Sequence, residues 1–411
     1  MDEGELPVGL TEVSPGRGRS RRSRAGWALG SSIVPWLVAR AVVGLALAVG
    51  HELVVRHHLT GAAAARVHEG LLGWDAGWYE AIAGHGYAGA GHSSLRFFPL
   101  FPALGRALSV LPGISVGAAV VIVANVCALA GTVLLVGLVR FESGDDAVAR
   151  RAGWLICLAP PAFSFVMGYA EGTLLVLAVG CFFALRRRNW WWAALLGLAA
   201  GLTRPLGVLL VIPAAVEVWR AWRRRPEAHG PPAAIGVTGA GQTGPPQRVE
   251  RAGWLAAVVG PLLGTGAFLG WVGWRYGDGL APLRLQQQAG HHGGLVDPLV
   301  TLAHDGSFLL HGRHLGEALH LPWVLLALAL LVVCFRSWPA CYGWFAAGVL
   351  LVALSGSNLD SFERYGLSAF PLVLAGATLT ARNWVFRLLL FAAGAGLFGY
   401  ALLAFANRYV P

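Results

Sequence analysis

The sequence has no lysine; all 31 of its basic residues are arginine. Charged side chains make up only 13% of the 411 residues, about half the share usual in a soluble domain. No soluble basic segment is left to account for the net charge of +10, which excludes a nucleic-acid-binding domain. The five cysteines, Cys127, Cys157, Cys181, Cys334 and Cys341, lie in or beside apolar runs with no CxxC pair. Neither a disulfide framework nor a cysteine metal site is expected. There is no P-loop, and no GxGxxG leads from a strand pattern into a helix, so nucleotide hydrolysis is not expected. HExxH is missing as well. The histidine pairs His57/His58, His291/His292 and His311/His314 have no acidic partner at metal spacing, so neither a metal nor another cofactor is expected.

What the chain has is apolar surface: 56% hydrophobic residues and a mean hydropathy of +0.60. A spanning helix needs roughly 20 apolar residues. Runs that qualify, some of them short, lie near 29–55, 114–139, 152–168, 170–185, 190–203, 205–219, 252–275, 321–336, 340–355, 366–381 and 384–406. The expected fold class is all-α, a polytopic transmembrane helical bundle with about eleven spans.

Arginine spacing orients the bundle. Residues 1–26 are polar and end in Arg17, Arg19, Arg21, Arg22 and Arg24, which reads as a disordered cytoplasmic tail. The first apolar run begins after this tail and is too long for a signal-peptide core, so no cleavable leader is expected. Alternating the runs from an inside start places Arg140, Arg150, Arg151, Arg186–Arg188, Arg220, Arg223–Arg225, Arg248, Arg251, Arg336 and Arg382 in the cytoplasm. The protein is expected in the cytoplasmic membrane, as a multi-pass chain within 27–411.

Three loops are long. Residues 56–96 and 277–320 fall outside, and the Pro/Gly-rich linker 223–251 falls inside. The second outer loop carries Gln286–Gln288, Asp297, Asp305 and several histidines. Of 13 histidines only His229 lies in a cytoplasmic segment, so polar chemistry concentrates on the outer face.

The first outer loop reads GLLGWDAGWYEAIAGHGY and later LRFFPLFP. Trp74 and Trp78 are four apart, as are Asp75 and Tyr79, so on a helix each pair shares a face. The stretch predicts a short surface helix presenting Asp75. A carboxylate among aromatic rings is partly desolvated, which suits a general base. An aromatic belt with a solvated Asp75 is the other reading. Tyr169 and Glu171 occupy the next outer turn, Arg204 the one after, and Arg364 and Tyr365 cap the tenth run. Arginine recognises phosphate through a fixed fork of donors, or else snorkels to headgroups. Arg40, inside the first run, is expected to snorkel to the cytoplasmic rim.

The set Trp74-Asp75-Ala-Gly-Trp78-Tyr79, His85-Gly-Tyr87 and Phe97-Phe98-Pro99-Leu-Phe-Pro102 resembles a known family. It is followed by Tyr169-Ala-Glu171, Thr203-Arg204-Pro205 and Arg364-Tyr365 in family order. The resemblance is to bacterial relatives of the second mannosyltransferase of GPI-anchor synthesis, within the C-type (GT-C) glycosyltransferases, and spans most of 30–380. It implies a GT-C-like fold with its active site on the extracytoplasmic side and a large first outer loop. It further implies a polyprenyl-phosphate sugar donor, most often mannose, and Asp75 as the essential carboxylate. Trp74, Trp78, Tyr79, His85, Tyr87, Glu171, Arg204, Arg364 and Tyr365 are the expected substrate-binding residues. The acceptor is expected to be an extracytoplasmic glycan, lipid or protein. A transporter or flippase of a lipid-linked sugar, or a non-catalytic envelope partner, would share the same intramembrane charges.

Overall fold

Helix is the only extended element in the computed structural model, which describes residues 21–58, 60–224, 247–288, 293–302, 320–357, 359 and 361–407. Most of the tail 1–26, His229 with the core of the linker, and His291, His292, Asp305, His311 and His314 lie outside the described residues. The long helix α1 (Arg21–Arg56) leads into α2 (Ala62–Glu69), α3 (Asp75–Ala90) and α4 (Leu100–Ser109). A helical hairpin follows: α5 (Val116–Ser143) and α6 (Asp146–Leu158). Gly144 is left-handed at φ 68°, and the Asp145 carboxylate accepts from the amides of Ala147 and Val148. Then come α7 (Glu171–Arg186), α8 (Trp190–Gly201), α9 (Val211–Arg223) and α10 (Gln247–Tyr276). The C-terminal part comprises α11 (Ala281–Gln286), α12 (Leu321–Ser337), α13 (Ala340–Leu354), α14 (Phe362–Ser368), α15 (Pro371–Leu379) and α16 (Asn383–Phe405).

Among the described residues, five helices are long and apolar enough to cross a membrane: α1, α5, Pro205–Arg223 containing α9, α10 and α16. Leucine, tryptophan and phenylalanine side chains stand on their outer faces, among them Leu45, Trp274 and Phe391. An all-α multi-pass membrane architecture accounts for that exposed apolar surface. Two expected runs are interrupted. Pro160 and Pro161 end α6 at Leu158, because proline removes an amide donor and restricts the residue before it. Residues 366–381 divide between α14 and α15 at Ala369 and Phe370.

Arg40 does not snorkel. Its guanidinium donates to Asn125 Oδ1 at 2.9 Å, the Phe165 carbonyl at 2.9 Å and the Trp36 carbonyl at 3.3 Å. Asn125 donates in turn to the Val166 carbonyl at 2.8 Å. The broken helix end at 160–166 leaves carbonyls without intrahelical partners, and a fixed fork of donors meets them. This clamp sets the path of the chain into Tyr169 and Glu171.

The helices share two charged ends. At one, Arg186 closes on Glu142 at 2.6 and 3.1 Å and on Glu217 at 3.1 and 3.2 Å. Tyr342 donates to Glu142 at 3.0 Å, and Arg220 to Glu217 at 3.1 Å. Arg186 is therefore a cross-link among α5, α7, α9 and α13 rather than a loose basic flank. Arg140 lies over Trp27 at 4.1 Å, and Arg151 donates to the Ala381 carbonyl at 2.9 Å, so α1, α6 and α16 start at this same end. The other end is reached by the start of α7, roughly 24 Å away for sixteen residues of helix, and it holds the cavity described below.

Helices α8 and α10 touch through backbone. A Cβ built at Gly264 would lie 2.0 Å from the Leu198 carbonyl, and one at Gly260 would lie 2.4 Å from the Ala194 carbonyl. Small residues permit such an approach in apolar bundles. Gly264→Ala is expected to force the two helices apart and cost about 1–3 kcal/mol. Thermal unfolding in detergent reads this directly; an unchanged midpoint would mean the helices are not in backbone contact.

Candidate active site

The site is built at helix beginnings. Asp75 is the first residue of α3 and Glu171 the first of α7, where the helix dipole favours negative charge. Trp74, just before α3, has φ 58° and ψ −127°, a conformation rare for a residue with a Cβ. It is held by an indole N–H donated to the Ala404 carbonyl at 3.0 Å and by Arg66 over its ring at 4.2 Å. Trp74 thus stands outside the helix, and the expected shared face with Trp78 does not form. Ser361, before α14, is a second non-glycine residue in the left-handed region, at φ 65°. Both strained residues line one cavity of about 570 Å³. Strain of this kind gathers at functional sites.

Four charged residues from distant stretches meet there. Arg364 Nη1 donates to Asp75 Oδ2 at 2.6 Å, and its Nε lies 3.4 Å from Glu171 Oε1. Arg204 donates to the same Glu171 oxygen. Glu171 and Arg364 are buried, at 3% and 6% exposure, whereas the Asp75 side chain keeps 27%. Asp75 is therefore the most exposed member of the network. Aromatic rings back the arginines: Arg364 sits over the buried Tyr169 at 5.3 Å, and Arg204 over the cavity residue Tyr365 at 5.8 Å.

Burial alone would raise the Asp75 pKa. The charge and hydrogen bond of Arg364, joined by Arg204 and Arg96, outweigh burial and hold it below the usual carboxylate value. The desolvation expected of Asp75 is thus present, and the arginines outweigh it. The arginines keep it ionised, which is the form that accepts a proton, at some loss of basicity.

Of the residues expected from sequence, Trp74, Asp75, Trp78, Tyr79, Arg204, Arg364 and Tyr365 line the cavity. Glu171 lies beneath it as the partner of both arginines. His85 and Tyr87 do not line it. His85 is exposed, and Gly86 at φ 70° turns the chain so that Tyr87 donates to the Phe97 carbonyl at 2.7 Å. The His-Gly-Tyr and Phe-Phe-Pro motifs are thus a latch between α3 and the turn after it, with Tyr79 edge-on to Phe97 at 5.0 Å.

The cavity also gathers residues the motif reading missed: Arg66, Arg96, Gln286, Gln287 and Ser361. Arg96 stands inside the LRFFPLFP stretch, and the glutamines in the polar second loop; these were the available signals. Gly293 and Leu295 of the same loop also line the cavity, and the Val296 amide donates to the Ser355 carbonyl at 3.0 Å. Among the described residues no group of three or more His, Cys, Asp or Glu side chains is placed to hold a metal ion. No protein-family model matches the chain, and a search of curated proteins finds no match.

Proposed function

We propose that this protein is a membrane glycosyltransferase that moves a sugar, mannose first among candidates, from a polyprenyl-phosphate donor to an extracytoplasmic acceptor. The observation that carries the reading is the convergence of Asp75, Arg204 and Arg364 from three separate stretches on one cavity, with Glu171 from a fourth joining the two arginines beneath it. These are the charged positions of the family motifs. All of the apolar runs, about eleven, cross the cytoplasmic membrane, the short helices shielded by their neighbours. The arginine-rich end faces the cytoplasm and the cavity faces outward. The first outer loop then runs from 56 to Ser115, and the linker near 223–251 is cytoplasmic.

In the reaction, an acceptor hydroxyl approaches Asp75. Oδ2 is engaged by Arg364, so Oδ1 takes the hydroxyl proton as the acceptor oxygen bonds to the anomeric carbon. The bond from that carbon to the phosphate oxygen breaks through an oxocarbenium-like transition state, and polyprenyl phosphate departs. One displacement inverts the anomeric centre. Trp74, Trp78 and Tyr79 wall the site against water, which would otherwise hydrolyse the donor.

The first test supplies membranes containing the protein with labelled polyprenyl-phosphate mannose, or with labelled GDP-mannose while lipid-linked sugar synthesis is blocked. Label entering an acceptor from the lipid donor alone supports the reading. Lipid-linked sugar crossing vesicles with no new glycosidic bond would replace it with transport. The depressed Asp75 pKa adds a pH test: transfer is expected to hold its rate from about pH 7 to about pH 5 and fall only near or below about pH 4. An acid limb near pH 6 would assign the base to another group.

A further inference from the structure

The cavity holds four arginines, and three of them are already paired. Arg364 is bound to Asp75, Arg204 to Glu171, and Arg66 to Glu69 at 2.6 Å. Arg96 differs. It ends the 3-10 turn His92–Arg96, is half-buried, and donates from Nε to the Ser93 carbonyl at 3.3 Å. Its guanidinium carbon lies 4.8 Å from the Phe97 ring centre and 5.8 Å from that of Trp78, both cavity residues. Among the described residues no carboxylate lies within ion-pair distance of it. Burial presses its pKa down, and the nearby Asp75 opposes this. A partly desolvated cation facing a cavity without its own counter-ion is balanced best by an anion that enters.

We propose that Arg96 anchors the anionic group of the ligand, a lipid phosphate monoester, and that Arg364 and Arg204 are positioning residues that hold Asp75 and Glu171. The choice of a lipid monophosphate rests on the transferase reading; the assignment of the anchor rests on which cations are already neutralised. Arg96 carries two outer nitrogens, a fork that matches two phosphate oxygens. Arg96 and Asp75 line the same cavity, so the bound anion shares it with the base. Phosphate seated there leaves the Asp75–Arg364 pair closed.

The experiment measures binding of farnesyl phosphate and of farnesol to the purified full-length protein in detergent. Wild type, Arg96→Gln and Arg96→Lys are compared, with unfolding temperature as the folding control. Wild type is expected to prefer the phosphate by about 10- to 100-fold, the scale of one charged hydrogen-bonding partner. Arg96→Gln is expected to bind the two lipids alike, and Arg96→Lys to recover part of the preference. If Arg96→Gln does not fold, a preference reduced in Arg96→Lys carries the proposal. Inorganic phosphate as competitor separates a lipid monophosphate, displaced only at far higher concentration, from a free anion, displaced at equal concentration. Full preference in folded Arg96→Gln, or none in wild type, overturns the assignment. Phosphate binding through Arg96 without any sugar transfer would sink the transferase and leave the anchor standing. Transfer by Arg96→Gln at unchanged KM would do the reverse.

Discussion

Asp75→Asn is expected to slow sugar transfer by about 10²- to 10⁴-fold while the protein stays folded, the range general bases contribute. Asparagine keeps the shape of the side chain and an oxygen that can accept from Arg364 Nη1, so the 2.6 Å contact has a substitute. What is lost is the negative charge that takes the acceptor proton. Glu171 remains 3.4 Å from Arg364 and limits the electrostatic change. Labelled transfer under single-turnover conditions, with thermal unfolding run on the same preparation, separates chemistry from stability. A folded variant within about threefold of wild type would remove Asp75 from the role of base, because that loss lies far below what proton transfer supplies.

Arg364→Met is expected to cost about 3–5 kcal/mol of stability, the usual penalty for removing one partner of a buried charge network. Arg364 is 6% exposed and faces two carboxylates. Without it Asp75 loses its ion pair, and Glu171 keeps Arg204 alone. The double variant Asp75→Asn/Arg364→Met removes one charge of each sign and is expected to recover part of the loss. A coupling of about 0.5–3 kcal/mol between the two positions is the quantity to measure, by denaturant unfolding of wild type, both single variants and the double. Simple additivity would mean that the two residues do not share a network.

Much of the fold was legible because its signals are local. The run at 321–336 became Leu321–Ser337, and that at 384–406 became Asn383–Phe405. Where the reading slipped, a backbone rule intervened: Pro160 and Pro161 broke the helix expected over 152–168. Arg40 looked like a snorkelling residue because a linear view places it near one end of an apolar run. Its carbonyl partner Phe165 lies 125 residues away and is invisible in that view.

The site was half legible. Asp75, Glu171, Arg204 and Arg364 stood out one at a time as charges in apolar surroundings. His85 and Tyr87 belonged to the same motif, yet Gly86 turns them into a latch away from the cavity. Arg96 was overlooked because nothing in its local sequence separates a free cation from a paired one.

The sequence by itself determined that this chain is helical, apolar on its outer faces, and segregated into an arginine-rich end and an end carrying the motif acids. Those properties follow from transfer free energies and backbone preferences of short stretches. Only the tertiary structure decided who neutralises whom. Asp75 and Arg364 are 289 positions apart, and the tertiary fold alone brings them to hydrogen-bonding distance. Ion-pair energy falls with separation and rises with burial, and both are set by helix packing rather than by position along the chain.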